Sequence, residues 1–216
     1  MHPLEELPIP RLEWFRDNAR RLPWRDEPTP YHVWVSEIML QQTRVAAVLD
    51  YYARFMAELP DVAALAQVPE GRLMKLWQGL GYYSRARNLQ AAARQIMEEY
   101  GGVFPSQYDQ VRALKGVGDY TAGAICSIAV KQPVPAVDGN VLRVVTRING
   151  DQRDIMAQAT TRAIAGQPSP LTPLHPPAQF TQPMMHLRAT LSPPPPPPHP
   201  PPRPPPDLSS PPAPAP

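Results

Sequence analysis

The sequence LKGVGDYTAGAI at residues 114–125 places Gly116 and Gly118 on either side of Val117, directly before an apolar run. The run QVRAL precedes it, so the segment predicts a helix, a hairpin and a second helix. Backbone N–H groups that lead through such a turn into a helix N-terminus bind phosphate without reading bases. A tight turn between two packed helices is the alternative for a Gly-x-Gly pattern alone. We predict that Gly116, Val117 and Gly118 contact a nucleic-acid backbone.

The hairpin lies within a chain whose apolar residues recur at helical spacing. Prolines and glycines separate the helical segments, and no sustained alternation of apolar and polar residues indicates a strand. The sequence therefore predicts an all-α fold. Three apolar sets carry this pattern: Trp34, Ile38, Val45 and Leu49; Val62, Leu65, Leu73, Leu76 and Leu80; and Leu89, Ala92, Ile96 and Met97.

Composition changes sharply near the end of the chain. The 216 residues include 33 prolines, and 16 of these fall within residues 193–216. Proline lacks a backbone N–H and fixes its own φ, so this segment predicts a disordered tail of polyproline II character. The formal net charge is only +2. A nucleic-acid footprint must therefore be a local basic patch, for which Arg85 and Lys115 are candidates beside the motifs.

Cysteine usage and the N-terminal sequence restrict the class of protein further. Cys126 is the single cysteine, which excludes an intrachain disulfide and a cluster of thiolates within the chain. The first residues lack a basic head followed by a long apolar run, and no stretch reads as a transmembrane span. We expect a cytoplasmic protein with no membrane partner.

Two carboxylates occur in segments that suit cleavage of a glycosidic bond. Glu37 lies in WVSEIMLQQT at residues 34–43, and Asp138 lies in PAVDGN at residues 135–140. Such a reaction needs an acid for the leaving group and an anion for the sugar cation. Spacing alone also fits plainer roles: Glu37 falls about a quarter turn from the apolar stripe, as a solvated residue would, and Asp138 suits a helix N-cap.

Several segments in order resemble the adenine DNA glycosylases of the helix-hairpin-helix superfamily. The resemblance implies a six-helix barrel carrying the hairpin, with a cleft between it and a second helical lobe. We expect a glycosylase core at residues 1–150, a degenerate remnant of the second lobe at 151–192 and the tail at 193–216. The matching segments are LPWR at 22–25, WVSEIMLQQT at 34–43, LWQGLGYYSRARNL at 76–89, the hairpin, and VDGNVLRVVTR at 137–147.

The resemblance also implies catalytic roles. Glu37 would protonate the adenine ring, Asp138 would stabilise the sugar cation, and Asn140 would help order the site. Tyr120 stands where bifunctional relatives such as endonuclease III carry a lysine. A phenol cannot form the Schiff base of a lyase, so Tyr120 indicates a monofunctional glycosylase.

Further contacts with DNA follow from the same resemblance. A glycosylase must take its base out of the stack and fill the vacated space. Gln42 and Tyr82 match the residues that fill it, although Tyr82 could by pattern alone be a core aromatic. The other matching positions are Thr43, Leu80 and Gly81 on the lesion side, and Trp24, Arg25 and Gln182 against the extruded adenine.

The C-terminal part departs from the family pattern. Family members carry a C-x6-C-x2-C-x5-C set that binds a [4Fe–4S] cluster, whereas this chain has Ser192 and a proline run at that place. We expect no metal or cofactor in this chain, which we interpret as truncated or degenerate. The predicted activity is removal of adenine opposite 8-oxoguanine or guanine by a monomer bound to double-stranded DNA. The alternatives are a catalytically impaired DNA-binding remnant and a broader endonuclease III-like glycosylase/lyase.

Overall fold

The computed structural model describes residues 21–134 and the single residues Ala136, Leu142, Thr146, Gly150 and Arg153. Every regular element in this part of the chain is a helix, which confirms the predicted all-α class. The predicted second lobe and the proline-rich tail lie outside the described residues, apart from Arg153. The helices are α1 Pro23–Asp26, α2 Pro30–Leu40, α3 Val45–Glu58, α4 Val62–Gln67, α5 Glu70–Trp77, α6 Ser84–Tyr100, α7 Tyr108–Arg112 and α8 Asp119–Ile128.

Local sequence signals explain several helix ends. Thr29 caps α2, because its side chain accepts a hydrogen bond from the N–H of His32 at 3.2 Å and Pro30 follows it. Asp61 caps α4 in the same way through the N–H of Ala64 at 2.8 Å. At the other end of α6, Gly101 adopts a left-handed conformation with φ of 60° and stops the helix.

One helix boundary is absent from the apolar pattern. Trp34, Ile38, Val45 and Leu49 read as one helical stripe, yet α2 ends at Leu40 and α3 begins at Val45. The break is a backbone turn at residues 41–44, where an exposed loop joins the two helices. This loop forms one side of the candidate site.

The core is built around α2, which packs against α1, α3, α6 and α8. Trp34 of α2 lies edge-on to Phe104 with ring centroids 5.4 Å apart, and Phe55 of α3 meets Trp77 of α5 at 6.1 Å. Burial of such large aromatic side chains supplies much of the driving force for folding. Among the described residues, no helix has the length and apolar character needed to cross a membrane.

A buried polar side chain fastens α6 to α4. The Gln90 side-chain amide donates to the backbone carbonyl oxygens of Val68 at 2.6 Å and Leu65 at 3.3 Å. These carbonyls lie at the end of α4, where intrahelical donors run out. The long helix α6 is thus held at a defined position, which matters because its first turn reaches the candidate site.

Candidate active site

The central feature of the site is a hydrogen bond between two residues far apart in sequence. The Tyr120 hydroxyl donates to Glu37 Oε2 at 2.9 Å. Glu37 is half-buried on α2, and Tyr120 is half-buried in the first turn of α8. The packing of α2 against α8 brings them together. Two of the predicted catalytic residues therefore share one site, and Glu37 is not an ordinary solvated glutamate.

The hairpin ends at Gly118, directly before α8, and Tyr120 is the second residue of that helix. Val117 is buried; its N–H donates to Leu114 O at 3.1 Å and its carbonyl accepts from Arg112 Nη1 at 2.9 Å. The Arg112 Nε also donates to the Asp119 carboxylate. The Val117 side chain and N–H are thus occupied within the protein, and the turn is held in shape by Arg112.

The two hairpin glycines differ in whether a side chain could be accommodated. Gly116 has φ of +77°, and a Cβ there would lie 2.8 Å from the Asn88 Cβ of α6. Gly118 is the N-cap of α8 with φ of −94°, and a Cβ there would meet nothing within 4 Å. Gly116 is required by the fold of the turn, whereas the Cβ direction of Gly118 is open at the N-terminus of α8.

Two exposed loops flank the site, and each carries one predicted space-filling residue. Gln42 lies in the α2–α3 loop with φ of 58°, and Tyr82 lies in the α5–α6 loop with φ of 47°. Both are exposed, Tyr82 to 65%. Left-handed backbone is uncommon for residues other than glycine and occurs often at functional sites. Tyr82 is therefore a surface aromatic and not a core one.

The remaining predicted loop positions differ in exposure. Thr43 is half-buried, Gly81 has φ of 70° and is half-buried, and Leu80 is buried at 7% exposure within the core. Because the Leu80 side chain points inward, only its backbone could meet a partner. The prediction of a DNA contact at these positions stays a prediction.

Arg85 is predicted from its charge to belong to a basic surface patch, but its guanidinium is partly buried between the two loops. Its guanidinium lies between the two loops, against backbone carbonyl oxygens on both sides. Burial lowers the pKa of Arg85 from its ordinary value, as expected for a cation partly removed from water. The position of Arg85 cannot be read from the sequence, because its acceptors are main-chain atoms that leave no trace in side-chain patterns.

The residues predicted to contact adenine are only partly described. Trp24 is buried on α1 and meets Tyr52 edge-on with ring centroids 5.1 Å apart, while Arg25 beside it is half-buried. Trp24 is thus a core residue of the α1 region. Asp138, Asn140 and Gln182 lie outside the described residues.

The iron–sulfur cluster implied by the resemblance does not fit the donor set of this chain. Cys126 is its one cysteine, and a [4Fe–4S] cluster takes four thiolates. Cys126 is buried in α8, and burial raises the pKa of its thiol to about 11. Within the described residues no group of three or more potential metal ligands converges.

Residues 35–167 match the HhH-GPD superfamily of base excision DNA repair proteins. The chain belongs to this family. It is 42% identical over 192 residues to the mouse adenine DNA glycosylase and equally so to the human one. It is 36% identical over 181 residues to the adenine DNA glycosylase of Buchnera aphidicola from Acyrthosiphon pisum. The resemblance read from the motifs is confirmed.

These matches cover a larger share of this chain than of the relatives. They cover 85% of this chain but 37% of the mouse protein and 35% of the human one. For the Buchnera protein the shares are 83% and 52%. The chain therefore spans between about a third and a half of the length of these curated relatives.

Solved structures agree on the fold. A thermostable thymine-DNA glycosylase superposes with a TM-score of 0.76 at 24% identity, covering 87% of each chain. An endonuclease III in a non-covalent DNA complex gives a TM-score of 0.67 at 22% identity, covering 83% of this chain and 81% of that one. The helix-hairpin-helix glycosylase fold predicted from the sequence is thereby confirmed.

Proposed function

We propose that this chain is a monomeric DNA repair glycosylase that removes adenine mispaired with 8-oxoguanine or guanine in duplex DNA. The observation that carries the proposal is the pairing of Glu37 with Tyr120 at 2.9 Å, directly after the hairpin. Identity of 42% to the mouse adenine DNA glycosylase supports adenine as the base. The reaction is hydrolysis of an N-glycosidic bond.

The chemistry assigned to Glu37 follows from the nature of the leaving group. Adenine leaves poorly as an anion, so a carboxylic acid that protonates a ring nitrogen lowers the barrier. The glycosidic C–N bond then breaks, and the sugar becomes an oxocarbenium-like cation. We assign its stabilisation to Asp138 and the ordering of this region to Asn140. Water adds to the sugar carbon and gives up a proton, which returns to the Glu37 carboxylate and leaves an abasic site and free adenine.

Tyr120 has a supporting part in this scheme. Its hydroxyl donates to one oxygen of Glu37, which restricts rotation of the carboxyl group. Proton transfer is efficient when the acid is held within hydrogen-bond reach of its acceptor. The half-buried setting of both residues also limits competition from water.

The hairpin supplies binding that does not depend on sequence. The first N–H groups of α8 have no intrahelical acceptors, and a Cβ on the N-cap residue Gly118 would meet nothing within 4 Å. We infer that a phosphate of the DNA backbone approaches this helix N-terminus. Gln42 and Tyr82 are placed on exposed loops, where they can enter the duplex as the adenine leaves it.

The decisive experiment is replacement of the acid. In Glu37→Gln the amide keeps an oxygen for Tyr120 but has no proton to give at the required acidity. We expect excision from a duplex with one adenine:8-oxoguanine pair to be abolished in a single-turnover assay. Abasic sites are detected by alkaline cleavage. The affinity of the variant for the duplex should stay within about twofold of wild type, which is a change of less than 1.4 kcal/mol in binding free energy.

A matched control separates this effect from general damage. Glu98 is exposed in the last turns of α6, so Glu98→Gln makes the same chemical change on the surface. That variant should excise adenine at the wild-type rate. Equal excision by Glu37→Gln and Glu98→Gln would remove Glu37 from the mechanism.

An endonuclease III-like glycosylase/lyase is the second candidate, supported by the shared fold. A lyase forms a Schiff base between a lysine and the abasic sugar, and borohydride reduces that imine to a stable adduct. Because Tyr120 occupies the relevant position, we expect no covalent adduct when borohydride is added to a reaction on abasic DNA. A lysine-dependent adduct on a denaturing gel would favour the lyase.

A DNA-binding remnant without turnover is the third candidate, motivated by the single cysteine of the chain. This candidate and the enzyme make opposite predictions for the unsubstituted chain. Duplex binding together with complete absence of excision over a long single-turnover incubation would identify the remnant. Formation of abasic sites that depends on Glu37 would identify the enzyme.

A further inference from the structure

The Arg85 guanidinium connects the two loops that flank the site. Its Nη1 lies within hydrogen-bond distance of three carbonyl oxygens at the end of α2, those of Ile38 at 2.8 Å, Met39 at 3.2 Å and Gln41 at 2.6 Å. These are carbonyls that a helix C-terminus leaves without intrahelical donors. A cation is also favoured at this end of a helix dipole.

The other nitrogen of the same group reaches the second loop. Arg85 Nη2 donates to Leu80 O at 3.1 Å and Gly81 O at 3.2 Å. The guanidinium also faces the rings of Trp77 and Tyr82, at 5.5 and 5.7 Å from their centroids. Trp77 Nε1 adds a bond to Gly81 O at 3.1 Å. The loop around Tyr82 is therefore held by Arg85 and by the core.

We propose that Arg85 is a positioning residue that locks the loops bearing Gln42 and Tyr82 together in the conformation that extrudes adenine. The proposal rests on the proposed function for the identity of the base. Gln42 and Tyr82 each have left-handed backbone that a residue with a Cβ adopts only when its surroundings impose it. The five carbonyl contacts of Arg85 flank both positions and form a direct link between the loops.

Lysine cannot replace this arrangement. The planar guanidinium carries donors on two separate nitrogens in fixed directions, so one side chain serves both loops at once. A lysine ammonium is a single point with three donors and cannot serve both loops at once, so each loop loses the contacts that fix it against the other. Arg85→Lys therefore keeps the charge and most of the volume while it breaks the link.

The matched control is another arginine of α6 that donates to a main-chain carbonyl. Arg94 Nε bonds Ala66 O at 3.1 Å at the end of α4, well along the helix from both loops. Arg94→Lys makes the same substitution on the same helix without touching either loop. Any effect of lysine on α6 in general appears in both variants.

The first measurement is hydrogen exchange of the free protein, read by mass spectrometry. Exchange reports local opening of the backbone. In Arg85→Lys we expect peptides covering residues 41–43 and peptides covering residues 80–82 to exchange about tenfold faster than in wild type. A tenfold change corresponds to about 1.4 kcal/mol in the free energy of local opening. Peptides of α4 and α8 should keep wild-type exchange. Unchanged exchange in either loop would overturn the proposal without reference to any enzyme activity.

The second measurement is extrusion of the target base. With 2-aminopurine in place of the target adenine, fluorescence rises when the base leaves the stack. We expect Arg85→Lys to reduce this rise and to slow single-turnover excision about tenfold, with affinity for a matched duplex unchanged. The slowing should be smaller when the target adenine lies opposite an abasic site, because extrusion then costs less. Equal slowing on both duplexes would mean a general defect and would overturn the positioning role.

These outcomes keep the two proposals apart. If wild type excises adenine and Arg85→Lys matches it in every readout, the positioning inference fails while the proposed function stands. If wild type excises nothing yet Arg85→Lys loosens both loops and loses the fluorescence rise, the proposed function fails while the positioning inference stands.

Discussion

At the scale of the residue, the Tyr120 hydroxyl matters because it joins an acid on α2 to the end of the hairpin. Tyr120→Phe keeps the ring and removes the donor to Glu37. A hydrogen bond to an ionisable group is worth about 1.5–3 kcal/mol when well buried. Partial exposure of this pair reduces that figure, so we expect single-turnover excision to slow about 5- to 10-fold.

Tyr100→Phe is the control for this prediction. Tyr100 ends α6, which begins beside the site, and 16 steps at about 1.5 Å per residue place its backbone roughly 24 Å along the helix. This variant should retain the wild-type rate, and both variants should bind duplex normally. An unchanged rate in Tyr120→Phe would show that the phenol does not orient the acid.

In the hairpin, substitutions at the two glycines should have different effects: at Gly118 on DNA binding, and at Gly116 on stability. Gly118 is an N-cap, a position that Asp and Asn occupy well, and its Cβ direction is open. Gly118→Asp and Gly118→Asn should therefore both retain thermal stability. If a phosphate approaches here, the aspartate repels it, and we expect about tenfold weaker binding than for the isosteric asparagine at low salt.

Anisotropy of a labelled matched duplex over a salt series measures this difference. The gap between the two variants should narrow as salt rises, because screening weakens repulsion between exposed charges. Equal affinities at low salt would mean that the N-terminus of α8 does not face the DNA backbone. By contrast, Gly116→Ala meets both left-handed strain of about 1–2 kcal/mol and the Asn88 side chain, so it should lower stability itself.

At the scale of the whole molecule, the matched family region is combined with a C-terminal sequence that lacks cluster ligands. We expect the chain purified with iron and sulfide to show no broad visible absorbance, and its excision to be weak. Replacing everything after residue 150 with a segment of C-x6-C-x2-C-x5-C spacing should restore the visible absorbance and the excision, because the four thiolates would bind the cluster and thereby order that segment.

The same segment with its four cysteines changed to serine is the control. It should fail to bind the cluster and should leave excision weak. If the cysteine-bearing chain bound its cluster and excision remained weak, the defect would have to lie in the first 150 residues. The assignment of the pocket around Glu37 would then be wrong.

The helical class, the family and Glu37 as the candidate acid can all be read from the amino-acid sequence. Helical periodicity and capping are local properties, and Thr29 and Asp61 are typical N-cap residues at the starts of their helices. The hairpin and the WVSEIMLQQT segment are contiguous motifs that can be read directly. They name the residues that carry chemistry without placing them relative to one another.

How those residues meet depends on the packing of the helices. The contact between Tyr120 and Glu37 spans 83 positions, and Arg85 reaches main-chain oxygens up to 47 positions away. The different needs for glycine at 116 and 118 depend on Asn88 of another helix. Such contacts arise from helix packing and from backbone acceptors that every residue possesses, so no pattern of residue types along the chain encodes them.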